Sequence, residues 1–296
     1  MHDQGSSIPF TSSSCPTSHF FPRVKILPIS ELIWKDDGLM SFRNLALSAI
    51  PELAHGVFAR HGGLSGPPYG TLNVSFSVGD RAEHVRGNLA RVQGEIGSSR
   101  ILYLNQLHGK GIHVFRGALS LPSEDQLPGD AMITDVPGVG LMIKQADCQS
   151  VVLYDPERRI VANVHCGWRG NVQNILGGVV ARLEQDFSCT PSRILAAIGP
   201  SLGPCCGEFM DHKKIFPREF EHFMVREHFF DMWAISCGQL IDAGLLPENI
   251  ELASICTRCR TDLFFSYRGE GVTGRFCTVV MLNGRVPDQT GKTHSA

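Results

Sequence analysis

The stretch from residue 139 to 165 constrains the fold more than any other part of this sequence. Three short apolar runs rich in Val and Ile, at residues 139–144, 150–154 and 160–165, follow one another across brief polar breaks. The second and third are joined by Asp155-Pro156-Glu157-Arg158, whose residue types suit a tight turn. Such runs predict β-strands in hairpins. Further strands are expected at residues 101–104, 111–115, 194–198, 263–267 and 276–282. Apolar residues at helical intervals (Val85, Leu89, Val92) predict an amphipathic helix over residues 80–95. A second is predicted over residues 171–187, with Asn171 as N-cap and Ile175, Val179, Val180 and Leu183 on one face. Residues 213–240 read as mostly helical. Strand and helix do not alternate regularly, so the expected class is mixed α/β, with mixed sheets and flanking helices.

Residues 1–27 are rich in Ser, Thr and Pro (Ser6, Ser7, Pro9), lack periodicity and read as a flexible extension. Residues 286–296 read as a similar tail. With no low-complexity linker or repeat between them, a single catalytic domain is expected over residues 28–285. The 27 Lys and Arg against 29 Asp and Glu give a formal charge of −2, which argues against nucleic acid or an anionic membrane as partner. A local basic pocket for a small anion remains compatible with that balance. Ten cysteines at irregular spacing do not make a disulfide framework. No secretory pattern and no membrane-length apolar run is visible, so a cytoplasmic location is expected.

Three soft-metal ligands fall at strand ends, in segments dense with Gly and polar residues. His108 lies in Asn105-Gln106-Leu107-His108-Gly109, Cys148 in Gln145-Ala146-Asp147-Cys148-Gln149, and His165 opens His165-Cys166-Gly167-Trp168-Arg169-Gly170. Imidazole and thiolate together suit zinc, and three protein ligands leave a fourth position open. Their separations match no local zinc motif, so spacing alone favours unrelated polar residues at strand ends. Cys256-Thr257-Arg258-Cys259 has C-x-x-C spacing, and Cys205-Cys206 would complete a four-cysteine set. Adjacent cysteines are poor tetrahedral partners, so these four read as core residues or coincidence. Phe264-Phe265 reads as core.

Five ordered blocks carry a resemblance. The first runs from His55 to Gly63, with Tyr69-Gly70-Thr71-Leu72-Asn73 and Gly79-Asp80 after it. The second is Gln106-Leu107-His108-Gly109, and the third extends from Gly129-Asp130-Ala131 to Ala146-Asp147-Cys148. The fourth is His165-Cys166-Gly167-Trp168-Arg169-Gly170. The fifth combines Ile198-Gly199-Pro200-Ser201 and Cys205-Cys206-Gly207-Glu208 with Phe264-Phe265-Ser266-Tyr267-Arg268 and Thr273-Gly274-Arg275. Together they resemble the YfiH-like family named both laccase-domain (polyphenol oxidase) proteins and purine nucleoside phosphorylases. The chain departs from the usual pattern at Gln145, Ser150, Cys166, Gly207 and Gly269.

The resemblance implies sandwiched mixed sheets with flanking helices, similar to cysteine-hydrolase-like folds. It implies zinc held by His108, Cys148 and His165, the expected catalytic residues, with copper as an adventitious substitute. It also implies phosphorolysis of adenosine, inosine, guanosine and methylthioadenosine, with adenosine deamination as a second activity. The expected partners are thus a purine nucleoside and phosphate. Phosphorolysis needs an anchored phosphate, and the guanidinium forks of Arg60 and Arg169 match its oxygens. Zinc would polarise phosphate, or lower the pKa of a bound water as deamination requires. Asp147, beside Cys148, would orient a ligand imidazole or cap a turn. A four-copper laccase centre is excluded, because the 12 histidines include no His-x-His pair. Two rival readings stand: a zinc-free cysteine hydrolase using Cys148 and His165, and a non-enzymatic protein with structural zinc.

Overall fold

A computed structural model describes residues 23–26, 31–117 and 127–284. Strand β1 (Lys25–Ile26) already pairs in parallel with β14 (Ile250–Leu252), so the sheet begins inside the segment read from sequence as an extension. The rest of that segment, apart from residues 23–24, and the tail at 286–296 lie outside the described residues.

Two sheets stack face to face. The first has the order β1, β14, β11 (Leu195–Ile198), β9 (Gln149–Asp155), β10 (Ile160–Cys166), β7 (Ala131–Thr134) and β6 (Ile112–Phe115). The second runs β2 (Glu31–Trp34), β3 (Met40–Arg43), β4 (Leu53–Phe58), β15 (Phe276–Leu282), β8 (Val139–Gln145) and β5 (Arg100–Tyr103). Both combine parallel and antiparallel pairs. Helices α3 (Trp168–Val172), α4 (Ile175–Phe187) and α6 (Met232–Asp242) lie against the outer face of the first sheet. Helix α2 (Ala82–Ile96) covers the second, giving an α/β/β/α sandwich.

The continuous apolar runs of the sequence follow from this layering. Successive strand residues point to opposite faces, and here both faces are covered. In β9, Val151 and Leu153 pack toward α4, while Val152 and Tyr154 enter the space between the sheets. In β8, Leu141 and Ile143 meet them there, while Met142 faces the α2 side. Each such fully buried aliphatic side chain stabilises the fold by roughly 1.5–3 kcal/mol relative to exposure. Asn163 is the polar exception on β10. Its amide donates to the Leu141 and Thr278 carbonyls of the other sheet at 2.9 and 3.0 Å, and its oxygen accepts from Ser150 Oγ at 2.7 Å. Each sheet thus grips the other through a satisfied buried amide.

Three sequence expectations change. The helix predicted over residues 171–187 is broken at Asn174, which adopts φ 52° and caps α4 by accepting from the Gly177 amide at 3.1 Å. Asn171, the predicted cap, lies in α3 and donates to Ser236 Oγ and Gln239 Oε1 on α6. Within residues 213–240 only the ends are α-helical: α5 (His212–Ile215) and α6. Between them lie a 3-10 turn (Arg218–Phe223) and a hairpin of β12 (Met224–Arg226) and β13 (Phe229–Phe230). Phe209, Phe220, Phe223 and Phe230 form a separate small core there, which overrides the helical pattern. Residues 263–267 turn rather than extend, because the Leu263 and Phe264 amides both donate to Arg260 O at 2.9 Å. Phe264 and Phe265 are fully buried, as expected.

Candidate active site and metal centre

Strand register brings the three ligands together. Cys148 occupies the turn between β8 and β9, after Asp147 at φ 96°. His165 lies near the end of β10, opposite Ser150 of β9. His108 stands at φ 59° in the loop between β5 and β6. One ligand atom from each lies within 4.8 Å of the others, and the two imidazoles meet edge-on with centroids 4.8 Å apart. Gly167 closes the floor of this group. A Cβ there would sit 2.9 Å from Cys148 Sγ and 3.3 Å from His108 Cδ2, so the glycine keeps the space between the ligands clear.

Asp130, which precedes β7, organises the group, and sequence reasoning had given it no role. Its carboxylate accepts from the Leu107, His108 and Gly109 amides at 3.3, 2.9 and 2.7 Å. It also accepts from His165 Nδ1 at 2.8 Å, while its carbonyl accepts from the His165 amide at 2.7 Å. One buried acid therefore shapes the His108 turn and fixes the His165 ring, leaving Nε2 for a ligand. Burial works against the Asp130 charge, but the His165 hydrogen bond and the turn amides hold its carboxyl below the usual range. In the sequence Asp130 stood within the third block, immediately before an apolar strand, with no role attached.

Cys148 and His165 shift each other's titration in opposite directions. Burial alone would raise the thiol, but the His165 charge and hydrogen bonds from His108 and His165 bring it down to about 6. Burial would lower His165, yet the Cys148 thiolate and Asp130 push it up to about 9. Nitrogen and sulfur donors held this close, with an open fourth side and a carboxylate behind one imidazole, match the ligand chemistry of catalytic zinc. Among the described residues the group has three ligand side chains.

The group forms part of the wall of a cavity of about 860 Å³. Lys144, Arg268 and Arg275 supply cationic lining, and Phe76 and Tyr267 supply aromatic lining. Burial, followed by the Arg275 charge, lowers Lys144 to about 8. Gln145, Gln149 and Asn171 also line the cavity, and their side-chain oxygens are buried without a protein partner. Their amide nitrogens are anchored on Thr278, Met232 and Ser236, which fixes the orientation of those acceptors.

Arg60 and Arg169 do not line this cavity. Arg60 spends its donors on Gly70 O, Thr261 O and the Glu270 carboxylate, and its guanidinium lies over Phe265. Arg169 is exposed and packs over Trp168. An arginine's direction depends on what surrounds it, and here Glu270 holds one guanidinium and Trp168 packs under the other. Among the described residues, no imidazole hydrogen-bonds Asp147. Its carboxylate accepts from Thr257 Oγ1, Ser266 Oγ and the Arg268 amide at 2.7, 2.6 and 2.6 Å, holding the 257 and 266–268 loops beside the cavity. A Cβ at Gly207 would lie 2.6 Å from Phe230 O, so the backbone leaves no room for a side chain there.

No helix among the described residues is long and apolar enough to cross a membrane. The family model described as multi-copper polyphenol oxidoreductase laccase matches residues 54–283. A Bacteroides thetaiotaomicron protein named purine nucleoside phosphorylase is 30% identical over 85% of this chain and 98% of its own length. The purine nucleoside phosphorylase YlmD of Geobacillus stearothermophilus is 31% identical over 76% of this chain and 88% of its own. The crystal structure of YlmD from that organism superposes with a TM-score of 0.76 at 27% identity, covering 87% of this chain and all of the other. The YfiH protein of Bacillus licheniformis gives 0.75 at 26% identity over 85% of this chain and 99% of its own. In sequence and in fold, the chain belongs to the multi-copper polyphenol oxidoreductase laccase family, alongside the YfiH and YlmD proteins.

Proposed function

We propose that this chain is a cytoplasmic, zinc-dependent purine nucleoside phosphorylase whose catalytic domain, expected over residues 28–285, takes in β1 as well. One observation carries the reading: His108, Cys148 and His165 converge on the wall of a cavity that Lys144, Arg268 and Arg275 also line. The names of its relatives support the same activity.

In the proposed reaction a phosphate oxygen bonds to the anomeric carbon of the ribose as the glycosidic bond to purine nitrogen breaks. The bonding electrons leave with the purine, which takes up a proton, and ribose 1-phosphate remains. Arg268, Arg275 and Lys144 would hold the phosphate, with the arginine forks fixing its orientation. Phe76 and Tyr267 would take the purine faces. Zinc on His108, Cys148 and His165 would supply Lewis acidity and lower the pKa of a bound water. Adenosine, inosine, guanosine and methylthioadenosine are the proposed substrates, with adenosine deamination as a side activity.

A second reading draws on a specific feature. Cys148, His165 and Asp130 stand in the nucleophile, base and orienting-acid order of a cysteine hydrolase. Metal ligation and nucleophilic attack compete for the same sulfur lone pair. The deciding experiment combines elemental analysis of tag-free protein with adenosine turnover, with and without phosphate. Zinc at His108, Cys148 and His165 with phosphate-dependent release of adenine supports the phosphorylase. Inosine formed without phosphate shifts weight to deamination. Full activity in metal-free protein sinks the zinc mechanism.

A further inference from the structure

The turn at Cys205-Cys206 and the loop carrying Cys256 and Cys259 meet at one point outside the cavity wall. Residue 201 bridges 256 in parallel fashion, with the Ser201 amide donating to Ile255 O and the Thr257 amide to Ser201 O. A few residues later the Cys206 amide turns back to Gly203 O at 2.9 Å, presenting both adjacent thiols to the Cys259 side. Cys259 Sγ lies 3.7 Å from Cys205 Sγ and 3.6 Å from Cys206 Sγ, and all four sulfurs lie within 4.8 Å of one another. Adjacency, which counted against these cysteines in the sequence, is overcome by this turn.

We infer that Cys205, Cys206, Cys256 and Cys259 form a second zinc site, structural in role and separate from the cavity. Four thiolates about 2.3 Å from a central zinc stand about 3.8 Å apart along each tetrahedral edge. The two shortest sulfur separations already match that edge, and rotations of about 1 Å bring in the rest. A disulfide, by contrast, needs sulfurs about 2.0 Å apart and joins only two of the four. It has no use for a Cys259 equally close to two partners. As zinc binds, each thiol gives its proton to solvent, and no oxidant or reductant is required. Cys256 is buried while Cys259 is exposed, which gives the ion a route from solvent.

The site has a purpose that the fold makes visible. Leu202 lines the cavity and its amide donates to Asp147 O, while Thr257 hydrogen-bonds the Asp147 carboxylate. Zinc would therefore lock together two loops that both lean on Asp147, the residue that also holds the Arg268 backbone.

The test counts metal in full-length, tag-free protein grown with zinc and passed through gel filtration. Cys148→Ser protein is expected to keep about one zinc per chain, and cobalt substitution should give it the intense visible bands of a tetrahedral thiolate site. Cys259→Ser and Cys205→Ser should each hold about one zinc fewer than wild type. Should those variants fail to fold, the Cys148→Ser count decides alone. Zinc-free Cys148→Ser protein, or a disulfide among the four cysteines in the native mass spectrum, overturns the site. Neither result depends on turnover, so the inference and the proposed activity fail separately.

Discussion

The His108–Cys148–His165 centre and the Cys205–Cys206–Cys256–Cys259 cluster use overlapping donor chemistry in opposite ways. The first is assembled from the ends of a strand and two loops, offers mixed nitrogen and sulfur, and has three ligand side chains beside a cavity. Behind it stands a buried carboxylate that fixes one imidazole. The second is all sulfur, has four donors and lies on turns. Donor number and surroundings, rather than the presence of cysteine, separate a centre that can accept a substrate from one that can only hold loops.

The sharpest way to break this contrast is to remove one sulfur from the open centre. Cys148→Ser is expected to lower phosphorolysis on the order of 10³-fold, the scale seen when a group acting directly on developing charge is lost. Single-turnover assays with adenosine check it, and undiminished turnover would place the chemistry elsewhere in the chain.

Asp130→Asn tests whether the buried carboxylate is what makes the open centre. Zinc affinity or turnover should fall about 10–100-fold, as for other partners of ligating imidazoles. Competition with a chelator measures the affinity. Zinc retention at the four-cysteine cluster in the same variant would show that the effect is local, whereas unchanged affinity would reduce Asp130 to a turn-shaping residue.

Smaller effects are expected at the phosphate side of the cavity. Arg268→Gln should raise KM for phosphate about tenfold with a lesser change in kcat, in line with losing one charge-assisted contact. A fall in kcat at constant KM would contradict the assigned role. The least effect concerns pH. Lys144 is lowered to about 8 by burial and then by Arg275, so it is charged below that pH and neutral above it. Phosphate binding should therefore weaken several-fold as pH rises through about 8, where an ordinary lysine would stay charged to beyond pH 10. Lys144→Arg, which does not titrate in this range, should remove the break from the pH profile of kcat/KM for phosphate.

Much of the sandwich was readable from local pattern. The runs at 139–144, 150–154 and 160–165 became β8, β9 and β10, each within a residue or two of its predicted ends. Asp155 makes the expected turn by accepting from the Glu157 and Arg158 amides. Helix α2 also follows its periodicity. Patterning failed where a tertiary contact outweighed it. The stretch after residue 213 has helix-compatible spacing, but its phenylalanines serve a private core that a continuous helix would pull apart. Asn171 had the chemistry of a cap, yet α6 claims its amide. For the site, the ordered blocks pointed to His108, Cys148 and His165, and the structure gathers all three.

Residue type and order pointed to most of the strands and to helix α2, and the ordered blocks pointed to three soft ligands, because these signals rest on periodicity and side-chain chemistry that any neighbourhood preserves. The tertiary structure alone decided which carboxylate serves which loop. Asp130 and Asp147 are both acids beside motif residues, but strand pairing carries one to an imidazole and the other to three loop donors. It alone decided that Arg60 spends its charge on Glu270 while Arg268 and Arg275 reach the cavity. It also brought two cysteine pairs, some fifty residues apart in the chain, within 4.8 Å of one another. Hydrogen bonds and metal sites act over a few ångströms, and only the closure of the fold sets those distances.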